Sequence, residues 1–212
     1  TVLLILSRLL GPEAFGLIAM LTIFYAIAQV LVDSGFGNAL IQKKEVSQLD
    51  CCSVFYFNLG LGILLAATLC LASPAIAAFY EQPILLPLTC WLSLTAVINS
   101  LGVVQHALLK RDLKFRKLLT ASVPATVISG AVGIGMALTD FGVWAIVGQM
   151  LSMRLFWVLL MWRASDWRPA RQFSWLALGN LFGFGSKLMT MALITVATDN
   201  LYFLVIGKIF DA

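Results

Sequence analysis

Residues 143–162 read Val143-Trp144-Ala145-Ile146-Val147-Gly148-Gln149-Met150-Leu151-Ser152, then Met153-Arg154-Leu155-Phe156-Trp157-Val158-Leu159-Leu160-Met161-Trp162. The run holds one charge, Arg154. As an α-helix, at about 1.5 Å per residue, it reaches about 30 Å, the thickness of a bilayer's hydrocarbon core. Apolar and polar residues do not alternate along it, so it is not a strand of a membrane β-barrel. A helix also satisfies its own backbone groups, as a segment in lipid must. The run is therefore read as a membrane-spanning helix.

Working outward, the same pattern recurs. Leu118–Leu138 and Ile84–Leu109 precede it, Cys51–Phe79 and Phe15–Val32 come earlier, and Gly183–Ile209 follows. Val2–Leu10 reads as the tail of one more helix. The expectation is an all-α, polytopic transmembrane helical bundle of about seven spans. Composition agrees. Of 212 residues, 61% are hydrophobic and 11% charged, against about 25% charged in an average soluble domain. Mean hydropathy is +0.97. A soluble enzyme, a disordered tail and a secreted disulfide scaffold are excluded on these grounds. The ends read as those of a fragment, with Thr1-Val2-Leu3 at the start and no recognisable signal peptide.

The loops fall into two sets. Gly11-Pro12-Glu13, Glu81-Gln82-Pro83 and Thr139-Asp140-Phe141-Gly142 are short and have turn chemistry. The others are longer and basic. They hold Lys43, Lys44, Lys110, Arg111, Lys114, Arg116, Lys117, Arg163, Arg168 and Arg171. The positive-inside rule makes this basic set, and the chain's N-terminus, cytoplasmic. Trp144, Trp162, Trp167 and Tyr80 fall at the expected boundaries, as interfacial aromatic residues do. The net charge of +4 resides in these loops, so no nucleic-acid partner is called for; membrane lipids are the partner the composition implies.

Internal features are fewer. Ile5 to Gly11 echoes Val205 to Asp211, each a helix end with a basic residue one turn before a loop. As a repeat, it makes the seventh helix the first of a second lobe; the alternative is that two apolar helix ends look alike. Ala125, Ser129, Gly133 and Ala137 form a small-residue stripe on one helical face, better read as static packing than as a sliding surface. Gly179 and Gly183 are a GxxxG pair. Cys51, Cys52, Cys70 and Cys90 lack metal-site spacing and read as buried thiols, and His106 has no second imidazole. No metal site, cofactor or catalytic set is expected. Five residues separate His106 from Asp112, where an acyltransferase motif has four.

The sharper signals are polar groups inside apolar helices, which are costly in lipid and face a cavity or a partner. Arg154 lies about 12 Å from the helix end at Trp162, too deep for simple snorkelling. Lys187 lies about 6 Å inside its helix, where a cavity role and snorkelling compete. Asp199, followed by Asn200, is near the middle of the same helix and about 18 Å from Lys187. Ion coupling and a structural hydrogen bond are both open for it. Asp33 precedes Ser34-Gly35-Phe36-Gly37-Asn38, where glycines permit a break. Gln29, Asn58, Asn99, Gln105 and Gln149 add neutral polar groups. The candidate cavity set is Arg154, Lys187, Asp199 and Asn200; Asp33, Gln29 and Asn58 are candidates for coupling or gating.

Several of these stretches together resemble a known family. Ser7 to Gly16 is similar to the first outer loop of bacterial polysaccharide exporters, and Asp33 to Lys44 to their first inner loop. Gln105 to Phe115, Phe141 to Ala145, Trp167-Arg168-Pro169 and Asp199-Asn200-Leu201 continue the likeness. The family is the Wzx-type polysaccharide or O-antigen flippases of the MOP transporter superfamily, and the likeness covers its first half. It implies a bacterial inner-membrane protein. It also implies translocation of an undecaprenyl-pyrophosphate-linked oligosaccharide by alternating access between two six-helix lobes; coupling to H+ or Na+ is left open by the residues. On that scheme residues 1–162 form one lobe with a truncated first helix, 163–182 a cytoplasmic connector, and 183–212 the start of the second lobe. A MATE-like ion-coupled drug exporter and a membrane enzyme or polymerase of glycan assembly are the alternative readings.

Overall fold

The computed structural model describes residues 2–33 and 35–209, apart from the side chains of 3, 4, 184, 197 and 199–209. Among the described residues there are eight helices and no strand. They are α1 (Val2–Asp33), α2 (Phe36–Gln42), α3 (Gln48–Phe79), α4 (Leu85–Ser100), α5 (Val103–Arg111), α6 (Phe115–Leu138), α7 (Trp144–Ala164) and α8 (Trp175–Ile209). The chain is thus an all-α helical bundle of a multi-pass membrane protein. Among the described residues four helices are long and apolar enough to cross a bilayer, or up to six if two bent pairs each count as one span. About seven were expected. The difference lies at the start, where Val2–Leu10 and Phe15–Val32 are counted together in α1, although they are two helices that meet at a kink at Gly11.

That helix is not straight. Gly11 leaves helical geometry, with φ 72° and ψ 174°, and Pro12 follows. Before this joint, Val2 lies against Gly130 and Leu6 packs with Ala137 and Ala145, so the chain runs towards the 139–143 turn. After it, Ala14 and Met20 pack with Tyr80 and Leu85, while Val32 packs with Ala96 and Val103. The chain therefore reverses at Gly11, and the expected outer loop is a one-residue joint. The left-handed φ is available to glycine without cost.

Local chemistry explains the other ends. Ser47 and Asp50 close a capping box on α3, and the Asp50 carboxylate also holds Lys43 Nζ at 2.6 Å. α3, α5 and α6 each stop in a paired bond pattern around one left-handed residue, namely Glu81, Leu113 and Asp140. Inside α3, Pro74 cannot donate to the carbonyl of Cys70, and the Ser73 hydroxyl bonds that carbonyl at 2.7 Å instead.

The close-packed seam is α6 on α7. Ala125, Ser129, Gly133 and Ala137 are all buried there, as the stripe predicts. A Cβ on Gly133 would stand 2.8 Å from that of Gln149, so the backbones meet because the side chain is missing. The other small-residue pair behaves differently: nothing lies within 4 Å of a Cβ built on Gly179 or Gly183. The cysteines need a correction too. Cys51 and Cys52 are buried thiols, but Cys70 and Cys90 form a disulfide between α3 and α4, with Cα atoms 4.6 Å apart. The 80–84 turn folds α4 back along α3 and places these two residues at matching heights. Finally, the stretch expected as a connector over 163–182 is irregular only to Ser174. Helix α8 begins at Trp175 and bends by 57° between Gly183 and Gly185.

Candidate functional site

Two breaks near the basic end of the bundle create the site. The first separates α1 from α2, where Gly35 has φ 67° and a Cβ would collide with the backbone of Gly185 in α8. The second bends α4 from α5 by 42° at Leu101 and Gly102. Helix α7 holds the second break in place. Trp162 Nε1 donates to the freed Leu101 carbonyl at 2.8 Å, and the Trp157 ring lies 2.8 Å from where a Gly102 Cβ would be. The buried Gln105 amide sits beside the same pair, and turned to satisfy both it donates to the Leu101 carbonyl at 2.9 Å. The α4–α5 break thus finds partners for its freed carbonyl, as a membrane helix must.

Between these breaks lies an open cleft of ≈ 630 Å³, solvent included. Its polar lining is Asp33, Asn38, Asn99, His106 and Lys110, backed by Trp157. Asn99 is buried and its Nδ2 donates to Asp33 Oδ1 at 3.4 Å. The His106 ring lies 5.6 Å from that of Trp157. Asp33, Asn38 and Lys110 are exposed to the cleft. A second cavity, ≈ 750 Å³ and apolar, lies between α4, α6 and α7 at the opposite end, beside Trp91 and Trp144. It lacks convergent polar groups, so the polar cleft is the stronger candidate.

Arg154 extends the polar set towards the middle of the bundle. It is half-buried, and its Nε donates to the Tyr25 hydroxyl at 3.3 Å. Tyr25, Gln29 and Asp33 are spaced four apart on α1, so they share one face. No ion pair joins Arg154 to Asp33 among the described residues. Gln29 Nε2 is shielded from solvent and has no hydrogen-bond partner among the described residues. Arg154 thus contacts the α1 face that also carries Gln29 and Asp33. Asn58 is fully buried on α3 and lies outside the cleft lining. Lys187 is exposed and also outside it. The side chains of Asp199 and Asn200 lie outside the described residues.

Sequence reasoning passed over Tyr25, Asn38, His106 and Lys110 as site residues. A signal existed for some. Asn99, His106 and Lys110 follow each other at seven and four residues, a polar stripe on an apolar segment. Tyr25, Gln29 and Asp33 form another. Asn38 gave none, because its place depends on the break at Gly35.

Comparisons with known proteins agree with this picture. The family described as "Polysaccharide biosynthesis protein" matches residues 5–212. The chain is similar to the lipopolysaccharide biosynthesis protein WzxC of Escherichia coli K12, at 29% identity over 98% of this chain and 43% of that protein. It is similar to the teichuronic acid biosynthesis protein TuaB of Bacillus subtilis, at 27% over 87% of this chain and 39% of that protein. The succinoglycan biosynthesis transport protein ExoT of Rhizobium meliloti is 27% identical over 80% of this chain and 34% of its own. The chain spans less than half the length of these relatives. No solved structure matches it.

Proposed function

Because the chain belongs to the polysaccharide biosynthesis protein family, we propose that it forms the part of a bacterial inner-membrane flippase that receives the polar head of a lipid-linked oligosaccharide. The whole transporter would carry that head across by alternating access between this bundle and a second lobe. The basic loops and the N-terminus would face the cytoplasm, where such intermediates are made. The observation that carries the reading is the cleft between the α1–α2 and α4–α5 breaks, with Arg154 behind it. A sugar needs hydrogen-bonding amides and a diphosphate needs cations. Asn38, Asn99 and Lys110 supply the first and part of the second. A guanidinium pairs with phosphate oxygens in two-pronged fashion. Asp33, in the cleft and bonded by Asn99, is the group we assign to coupling or gating.

The test is complementation. A strain lacking the transporter gene receives the full-length gene carrying Arg154→Gln or Asp33→Asn, and surface glycan is measured beside membrane protein level. A lost charged hydrogen bond costs about 1.5–3 kcal/mol, so R154Q should reduce export roughly tenfold or more. Export unchanged at equal protein level would overturn the assignment.

A further inference from the structure

The segment between α7 and the long limb of α8 is strapped to the bundle. Trp167 Nε1 donates to Gln48 Oε1 at 2.8 Å, and Gln48 Nε2 donates to the Arg168 carbonyl at 2.9 Å. The Ser174 amide donates to Ser53 Oγ at 2.9 Å. These bonds place Ser174 level with the first two turns of α3. That helix has 32 residues, about 48 Å, against a hydrocarbon core of about 30 Å. Its first turns therefore project into the headgroup layer, and Ser174 with them.

From this level the first limb of α8, Trp175–Gly183, departs at 57° to the limb Gly185–Val196. It has two apolar faces. Ala177, Leu178 and Leu181 are buried, the two leucines against the cluster that contains Phe36, Leu40 and Phe55. Trp175 and Leu176 point the other way and are 72% and 78% exposed. Phe173 stacks edge-on against Trp175 at 5.0 Å between centroids. At about 13 Å the limb is too short to cross a membrane alone. Free cations flank it: Arg171 on one side and Lys187 on the other are exposed and make no hydrogen bond or ion pair among the described residues.

We propose that residues 171–183 are an interfacial foot, with Phe173, Trp175 and Leu176 in the headgroup–acyl boundary of the leaflet at the basic end and Arg171 and Lys187 on anionic phospholipid headgroups. Aromatic rings beside basic residues are the side-chain set such a boundary selects. An anionic leaflet attracts each basic group near its surface. Charge complementarity thus favours a lipid surface over a second copy of this chain, whose matching surface carries the same sign. The foot would tie the start of the second lobe to the bilayer plane while α3 holds it to the first.

The test uses the full-length protein in vesicles of phosphatidylethanolamine and phosphatidylglycerol. A nitroxide is attached at Leu176→Cys after the native cysteines, including the four in residues 1–212, are replaced by alanine, with Val127→Cys on α6 as the deep reference. The label at 176 should favour oxygen over a water-soluble nickel chelate, yet sit shallower than the label at 127. It should shift towards water in phosphatidylcholine vesicles, or with Arg171→Glu and Lys187→Glu. A label as wet as bulk solvent, as deep as 127, closed to both reagents, or indifferent to lipid charge would overturn the proposal. If the alanine background does not fold, the protein with its native cysteines is read by quenching with brominated lipids. The emission lost in Trp175→Phe should be the part quenched by bromines high on the acyl chain. A Trp175 contribution insensitive to bromine position, or quenched best at the chain end, would equally overturn it.

Discussion

Single residues decide how closely the helices approach, and glycines show it in opposite ways. At Gly102 a Cβ would meet the Trp157 ring at 2.8 Å, whereas at Gly135 nothing lies within 4 Å. Gly102→Ala must push aside a ring that lines the cleft and should destabilise by about 1–3 kcal/mol, the range for overpacking. Gly135→Ala sits in an open helical position and should stabilise by about 0.5–1 kcal/mol. Thermal or denaturant unfolding of the detergent-solubilised protein checks both, and equal shifts in the two variants would contradict the geometry. Tyr80 offers a different case. It is 4% exposed, its hydroxyl has no hydrogen-bond partner among the described residues, and burial pushes its phenol above the ordinary value of 10.0. Removing an unsatisfied buried hydroxyl is neutral or favourable, so Tyr80→Phe should raise stability by up to about 1 kcal/mol. The sign with pH follows. The unfolded chain ionises this phenol first, so wild-type stability falls as pH rises through 10.0, and the phenylalanine variant should lose that share of the decline. A steeper alkaline loss in the variant would refute this.

Helix ends and breaks carry the next level. Leu113 at the end of α5 and Asp140 at the end of α6 occupy the same left-handed position, with φ 56° and 58°. The Lys114 amide reaches back to the Leu109 carbonyl and that of Phe141 to Met136, so both ends need that conformation. Leucine is strained there by about 1–2 kcal/mol, while aspartate is among the tolerated residues. Leu113→Gly should therefore stabilise more than Asp140→Gly, by roughly 1 kcal/mol. A melting series of the two single variants measures it; the reverse order would sink the argument. Such ends also mark what the sequence could tell. The spans and the buried stripe on α6 were legible because hydrophobicity and small-residue spacing are properties of one segment. The bend between α4 and α5 was not, because it is held by Trp157 and Trp162 from α7 and only Gly102 hints at it. The reversal at Gly11 was read as a loop of the right chemistry but the wrong length. Arg154 stood out by its depth, whereas His106 and Lys110 became site residues only when the bend turned them into one cleft.

At the scale of the whole molecule, charge and polarity divide the two ends. One end gathers the tight turns at Glu81 and Asp140, and the other gathers the basic loops, the strap and the polar cleft. This arrangement gives the cleft a definite side. If the basic end is cytoplasmic, as the proposed function has it, the cleft would open on the side where that function places loading, and the apolar cavity beside Trp91 would face the other side. Topology is therefore a functional claim, and labelling in intact cells can test it. The reporters must be exposed and must not join the strap. Asp140 at one end and Glu45 at the other meet both conditions. With native cysteines replaced, a cysteine at Asp140 should react with a membrane-impermeant maleimide added outside. A cysteine at Glu45 should react only after the membrane is opened. The opposite pattern would place the cleft on the outer face, where the loading role given to Arg154 and Lys110 could not hold. Reaction at both positions would mean that the basic loops do not set the orientation.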